Sequence, residues 1–138
     1  MRRDSGVTLI EILTVVVALV VVTAIAIPLW RTHQLRERRQ EAIAVLLAIQ
    51  TAQDRHFGAH ARYADASQLE VVRETAEYTV EVALSDDQLA YVAAAITRVG
   101  LTGNTDARCT RMTIDQHGRR SASDSSGEDS TADCWNRK

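Results

Sequence analysis

The chain has 138 residues, with 16 Lys or Arg against 18 Asp or Glu and a formal charge of −2, so no global excess of positive charge points to nucleic acid. Once an apolar N-terminal stretch is set aside, the remainder supports one modest core, not two. Aromatic residues make up only 4% of the chain, so that core must rest on Leu, Val, Ile and Ala.

The run Ile12–Trp30 is apolar except for Thr14 and Thr23 and has about the ~20-residue length that crosses a bilayer. A secretory signal peptide would be shorter and end at a small-residue cleavage site, whereas "IAIPLWRTHQLRERR" follows here, so an uncleaved anchor is expected. Orientation is ambiguous on composition: Arg2 and Arg3 precede the span, but Arg31, Arg36, Arg38 and Arg39 follow it. A bare positive-inside count would leave the C-terminal part in the cytoplasm. Glu11 is the anomaly. An ionised carboxylate costs about 2.5–3.5 kcal/mol at the centre of a span, which marks it as a functional residue unless it snorkels to the headgroups.

Pro28 removes one backbone donor and is expected to kink the helix. Beyond it Leu35, Ala42, Val45, Leu46, Ile49, Ala52 and Phe57 recur every three or four residues, predicting an amphipathic helix to about Gly58. "GAHARYADASQLEVVRETA" reads as a loop with room for one helical turn. "EYTVEVAL" alternates, with Tyr78, Val80, Val82 and Leu84 on one face, and predicts a half-buried strand. After the turn "SDDQ", "LAYVAAAIT" predicts a second strand, more apolar on both faces. "RCTRMTID" predicts a third that buries Met112 and Ile114, and "QHGR" turns into a short fourth near Arg119–Ser123.

The remaining segment, "SASDSSGEDSTADCW", is polar enough to be disordered alone. Cys109 and Cys134 bracket it, and they are either one disulfide in an oxidising compartment or two thiols of a cytoplasmic domain. The disulfide is the better reading, because little else in this stretch would order it. Closing a loop of about 25 residues is worth roughly 3.5 kcal/mol in the chain-entropy account. Trp135 is expected to anchor the loop.

Gly6 followed by "VTLIEILTVVVALVVVTAIAIP" resembles the N-terminal signature of type IV pilins, with Gly6, Thr8, Leu9, Ile10, Glu11 and Pro28 all in place. The departure is Val7, where the family usually has phenylalanine. The resemblance implies that residues 1–6 are a leader removed after Gly6 by a membrane prepilin peptidase, which also methylates the new N-terminal residue, here Val7. It further implies that residues 7–30 form a transmembrane and filament-core helix, and that 31–138 form a globular head bounded by the C-terminal disulfide loop. In that family the glutamate corresponding to Glu11 pairs with the N-terminal amine of a neighbouring subunit, so assembly would offset the cost of its burial. The implied fold is α+β, a long N-terminal helix packed on a four-stranded antiparallel sheet. "CTRMTIDQHGR…CW" is similar to the short minor pilins.

The implied partners are other pilin subunits, the peptidase/methyltransferase, the inner-membrane assembly machinery and the inner membrane itself. The head would be periplasmic before assembly and on a cell-surface pilus afterwards. Pilus biogenesis, adhesion or twitching motility is the implied role. Alternatives are a DNA-binding minor pilin or a pseudopilin of a type II secretion system, against which the two-cysteine loop counts. For DNA, Arg119 and Arg120 are the candidate contacts, with Arg108, Arg111, Arg137 and Lys138 nearby. Asp115, Asp124, Glu128, Asp129 and Asp133 lie in the same region, and such mixtures are usually solvated surface, so DNA is not favoured. His56 and His60 stand four apart, but Gly58 lies between them and no third ligand is near, so a frayed helix end is expected rather than a metal site. "GLTGNTD" lacks the Gly-Lys-Ser/Thr element of a phosphate loop. No nucleophile–base motif is present, and no catalysis or cofactor is expected.

Overall fold

The structure, a computed structural model, describes residues 8–71, 74–98 and 106–135. Its contacts divide the chain into two compact units, Met1–Leu35 and Arg36–Lys138. The helix α1, Leu9–His60, contributes to both.

In the first unit, Leu9–Ile27 is long and apolar enough to cross a membrane, with mean hydropathy 2.9 and none of it buried. A helix suits this run despite its many valines, because in lipid every backbone group must be satisfied within the segment. The two hydroxyls obey the same rule. Thr14 Oγ1 donates to the Glu11 carbonyl at 2.8 Å, and Thr23 Oγ1 to that of Leu19 at 2.9 Å. The helix continues through position 28.

In the second unit the remainder of α1 buries Ala42, Leu46, Ile49 and Gln53 completely, a stripe at intervals of three and four. The stripe packs on a four-stranded antiparallel meander in the order β1-β2-β3-β4. The strands are β1 (Tyr78–Leu84), β2 (Tyr91–Thr97), β3 (Arg111–Asp115) and β4 (Arg120–Ser123). Register places Val80 opposite Ala95, Ala95 opposite Met112, and Met112 opposite Ala122, so one face supplies the sheet's share of the core. Leu46, Ile49, Met112 and Ile114 are each fully enclosed, worth roughly 1.5–3 kcal/mol apiece.

Two details depart from the sequence expectation. Phe57 is 37% exposed, stacking on Tyr63 at 4.7 Å rather than entering the core. Gln53, polar and mid-helix, takes the buried position instead. Its Nε2 donates to the Ala64 carbonyl and its Oε1 accepts from the Ala64 amide, both at 2.8 Å, which fastens the loop after α1 to the helix.

Candidate functional site

The assembly segment comes first. Thr8 opens α1, its carbonyl accepting from the amides of Glu11 at 3.0 Å and Ile12 at 3.2 Å. Glu11 thus stands in the first turn, where the positive end of the helix dipole favours a carboxylate. It is exposed, among the similarly exposed Leu9, Ile10, Ile12 and Leu13. Among the described residues its side chain has no hydrogen-bond or ion-pair partner. Gly6 and Val7 lie outside the described residues.

The C-terminal loop is held by more than its covalent bond. Cys109 and Cys134 form a disulfide with Cα atoms 5.7 Å apart. Beyond β4 the chain folds back along that strand's open edge. Ser130 N donates to the Ala122 carbonyl at 3.0 Å, and Ala122 N to Thr131 Oγ1 at 2.9 Å. Asp124 Oδ1 accepts from the amides of Ser126 and Glu128, which forms the turn, and Ser125 N donates to the Ala107 carbonyl at 2.8 Å. A short helix α2, Thr131–Cys134, follows. Trp135 is 5% exposed and donates Nε1–H to the Ser121 carbonyl at 3.0 Å. The expectation that little besides the disulfide orders this segment is corrected: serine, threonine and aspartate side chains supply a network of short-range bonds.

This arrangement separates the basic residues instead of collecting them. Arg119 lies in the β3–β4 turn, where its Nε donates to Asp115 Oδ2 at 2.8 Å. Asp115 also accepts from the amides of His117 and Arg119. Burial pushes the Asp115 carboxyl up, but these bonds outweigh it and hold the group below the usual carboxylate range. Arg120 lies over the Trp135 ring, 5.2 Å from its centroid. Arg108 pairs with Asp133 at 3.1 Å. Arg111 is exposed on the sheet's outer face opposite Ser123 and has no acidic partner among the described residues. Arg137 and Lys138 lie outside them. Trp135 is too buried to stack on a base.

One buried polar cluster escaped the sequence reading. Arg39, on α1, directs Nε and a terminal nitrogen at the Asp106 carboxylate, the second contact at 2.8 Å. Tyr78 Oη lies 3.2 Å from the same carboxylate and 3.1 Å from the Cys109 carbonyl. The Arg108 and Cys109 amides add bonds to Asp106 at 3.2 and 3.3 Å. Burial pushes the Asp106 carboxyl up, yet the Arg39 guanidinium and the Tyr78 hydroxyl hold it below its ordinary value. Tyr78 is pushed well above the usual phenol range, by burial first and then by the Asp106 charge. The cluster joins α1, β1 and the start of the disulfide loop, and Arg38 pairs with Glu77 beside it. The sequence before Asp106 carries no periodic signal, so nothing in it marked Asp106 as the partner of a residue 67 positions earlier.

The geometry is that of a membrane-length helix leading into a helix-on-sheet head with a stapled C-terminal loop. Comparisons with known proteins agree. Residues 28–113 match the family described as type IV minor pilin ComP, DNA uptake sequence receptor. The match leaves out Gly6, Val7 and Glu11 on one side, and Arg119, Arg120 and Cys134 on the other. The type IV major pilin protein PilA of Myxococcus xanthus (strain DK1622) is 41% identical over 63 residues, covering 46% of this chain and 29% of that protein. Less than a third of that relative's length is therefore spanned. A type IV pilin from Shewanella oneidensis shares the fold at TM-score 0.50 and 18% identity, over 62% of this chain and 88% of that one. The non-core minor pilin PilV of Neisseria meningitidis does so at TM-score 0.55 and 16% identity, over 67% and 89%. With more than half its length matched, the chain belongs to the ComP family of type IV minor pilins.

Proposed function

We propose that this chain is a minor subunit of a type IV pilus, held in the inner membrane by its N-terminal helix until it assembles with other pilins. The observation that carries the proposal is the wholly exposed apolar helix Leu9–Ile27 with a carboxylate in its first turn, Glu11, that has no partner among the described residues. A side chain so placed is costly in lipid and gains a partner only when another chain supplies a cation. The prepilin signature provides one. Cleavage after Gly6 would free the Val7 amine, and each subunit's amine would meet its neighbour's Glu11. The head would then be periplasmic before assembly, where Cys109 and Cys134 can stay oxidised.

The experiment is quantitative mass spectrometry of sheared pili. Mature protein starting at Val7, in trace but reproducible amounts relative to other pilins, is the expected result, and Glu11→Ala should remove it from the filaments. Wild-type incorporation of Glu11→Ala would rule out the Glu11–amine pairing.

A second reading, capture of DNA, is favoured by the description of the matched family as a DNA uptake sequence receptor. Among the described residues of this surface Arg111 and Arg120 are the guanidiniums with no carboxylate partner, whereas Arg119 is neutralised by Asp115. A gel shift comparing wild type with Arg119→Glu/Arg120→Glu and with Arg111→Glu tests it. Salt-sensitive binding that weakens in the variants supports capture, and absent or salt-insensitive binding ends it.

A further inference from the structure

Strand β1 forms one edge of the sheet and pairs with β2 on its inner side. Two bonds just past its ends fix which residues turn outward. Arg98 N donates to the Glu77 carbonyl at 2.7 Å, and Ser85 N to that of Ala90 at 3.0 Å. Both pairs continue the β1–β2 register, so odd-numbered residues of β1 direct N–H and C=O at β2 and even-numbered ones direct theirs away. At the start of the strand these outward groups are taken. Thr75 N donates to the Tyr78 carbonyl at 2.8 Å, and Tyr78 N to Thr75 Oγ1 at 3.0 Å. A bridge between Glu74 and Thr79 closes that part of the edge. Val82 and Leu84 lie beyond it, and their outward N–H and C=O groups have no partner among the described residues.

A groove of about 820 Å3 runs beside this edge, lined by Ala66 and Val71 of the loop after α1 and by Val80, Glu81 and Val82 of β1. Val71, Val82 and Leu84 pack on the core yet stay half-exposed. Glu81 is exposed on the strand's other face, with Asp86 in the turn that follows, and neither has a basic partner among the described residues. From this geometry we infer that the β1 edge docks an extended peptide segment of another protein, one in which apolar and basic residues alternate, as an added strand. The open backbone groups of Val82 and Leu84 bond the segment, the groove takes its apolar side chains, and Glu81 and Asp86 attract the basic ones. A second copy of this chain fits worse. Pairing Val82 with Leu84 of another β1 joins all four open groups of each strand, but it brings each Glu81 toward the other copy's Asp86 and Asp87. The site is independent of the pilus reading.

The test uses the full-length chain in a non-ionic detergent and a short blocked peptide alternating valine with lysine, with one alternating valine with glutamate as control. Fluorescence anisotropy of the labelled lysine peptide should show saturable binding, and the glutamate peptide should not bind. Glu81→Lys should weaken the lysine peptide at least ~10-fold, whereas Glu128→Lys, the same change of charge beyond β4, should leave it unchanged. Val82→Pro removes one outward N–H and should weaken binding roughly 10-fold, about the worth of one hydrogen bond, with circular dichroism verifying the fold. Because proline also stiffens β1, amide hydrogen exchange of the unmutated chain provides an independent reading. The Val82 and Leu84 amides should exchange more slowly with the lysine peptide bound, and those of Glu81 and Ala83, which face β2, should change least. No binding, equal binding of the glutamate peptide, or protection confined to residues outside β1 overturns the site. A peptide-free dimer that protects the same two amides gives the edge to a second copy and overturns the choice of occupant.

Discussion

The Arg39–Asp106–Tyr78 cluster invites the most direct perturbation, Asp106→Asn. Asparagine keeps the size and one acceptor oxygen but drops the charge and turns an NH2 toward a guanidinium or the Tyr78 hydroxyl. The side chains of Arg39 and Asp106 are only 15% and 5% exposed, so the guanidinium is left largely desolvated and unpaired. Removing one partner of a fully buried pair costs about 3–5 kcal/mol, and Arg39's partial access to solvent lowers the expectation to roughly 2–3 kcal/mol. For a head of this size each kcal/mol lowers Tm by roughly 4–8 °C. The assay is urea unfolding of the detergent-solubilised chain with the disulfide intact, followed by Trp135 fluorescence in a Trp30→Phe background. A double-mutant cycle with Arg39→Gln isolates the pairwise contribution. The acid limb gives a second reading. The Asp106 carboxyl is held below its ordinary value, so its stabilisation is present above the unfolded-state pKa near ~3.9 and is lost as pH falls through the lower folded-state value. Wild type should therefore lose stability below about pH 4 more steeply than Asp106→Asn. A stability change under about 0.5 kcal/mol, or acid limbs of equal slope, would refute the reasoning.

Gln53→Leu should cost about 2–4 kcal/mol, because it strands both the N–H and the C=O of buried Ala64; unchanged hydrogen-exchange protection of the Ala64 amide would contradict this. Ala61 ends α1 with φ of 54°, a left-handed conformation that a Cβ disfavours, so Ala61→Gly should raise stability by about 0.5–1 kcal/mol in thermal unfolding. A lower melting temperature would argue against strain there. Cys109→Ser/Cys134→Ser should lose up to about 3.5 kcal/mol and speed proteolysis between the two positions. The bonds of Ser130, Thr131 and Trp135 should nevertheless keep the β4 edge covered, so complete loss of Trp135 burial would show that the disulfide alone orders the loop.

Local physics made much of this protein legible in the sequence. The membrane-length helix follows from an apolar run that admits no other backbone, and the strands follow from two-residue alternation in "EYTVEVAL" and from Met112 and Ile114 in β3. Glu11 stood out because a carboxylate there conflicts with its surroundings. What the sequence left open depended on partners distant along the chain. Asp106 meets Arg39 only when the segment before β3 packs on α1, and Gln53 meets Ala64 only when the chain turns back after His60, and no periodicity encodes either meeting. The same holds for charge. In sequence, Arg119 and Arg120 are adjacent equals. In the fold, Asp115 neutralises the first and the Trp135 ring lies under the second, because one sits in a turn and the other in a strand. The end of α1 departs from the expected fraying around Gly58 for a related reason. Gly58 weakens a helix intrinsically, but the bonds of the final turn carry α1 past it to His60. Sequence thus determined the elements and their exposed or buried faces, through interactions a few residues long. Tertiary structure alone decided which polar groups distant along the chain are paired, since those pairings are set by positions in space that the chain reaches only after it has packed.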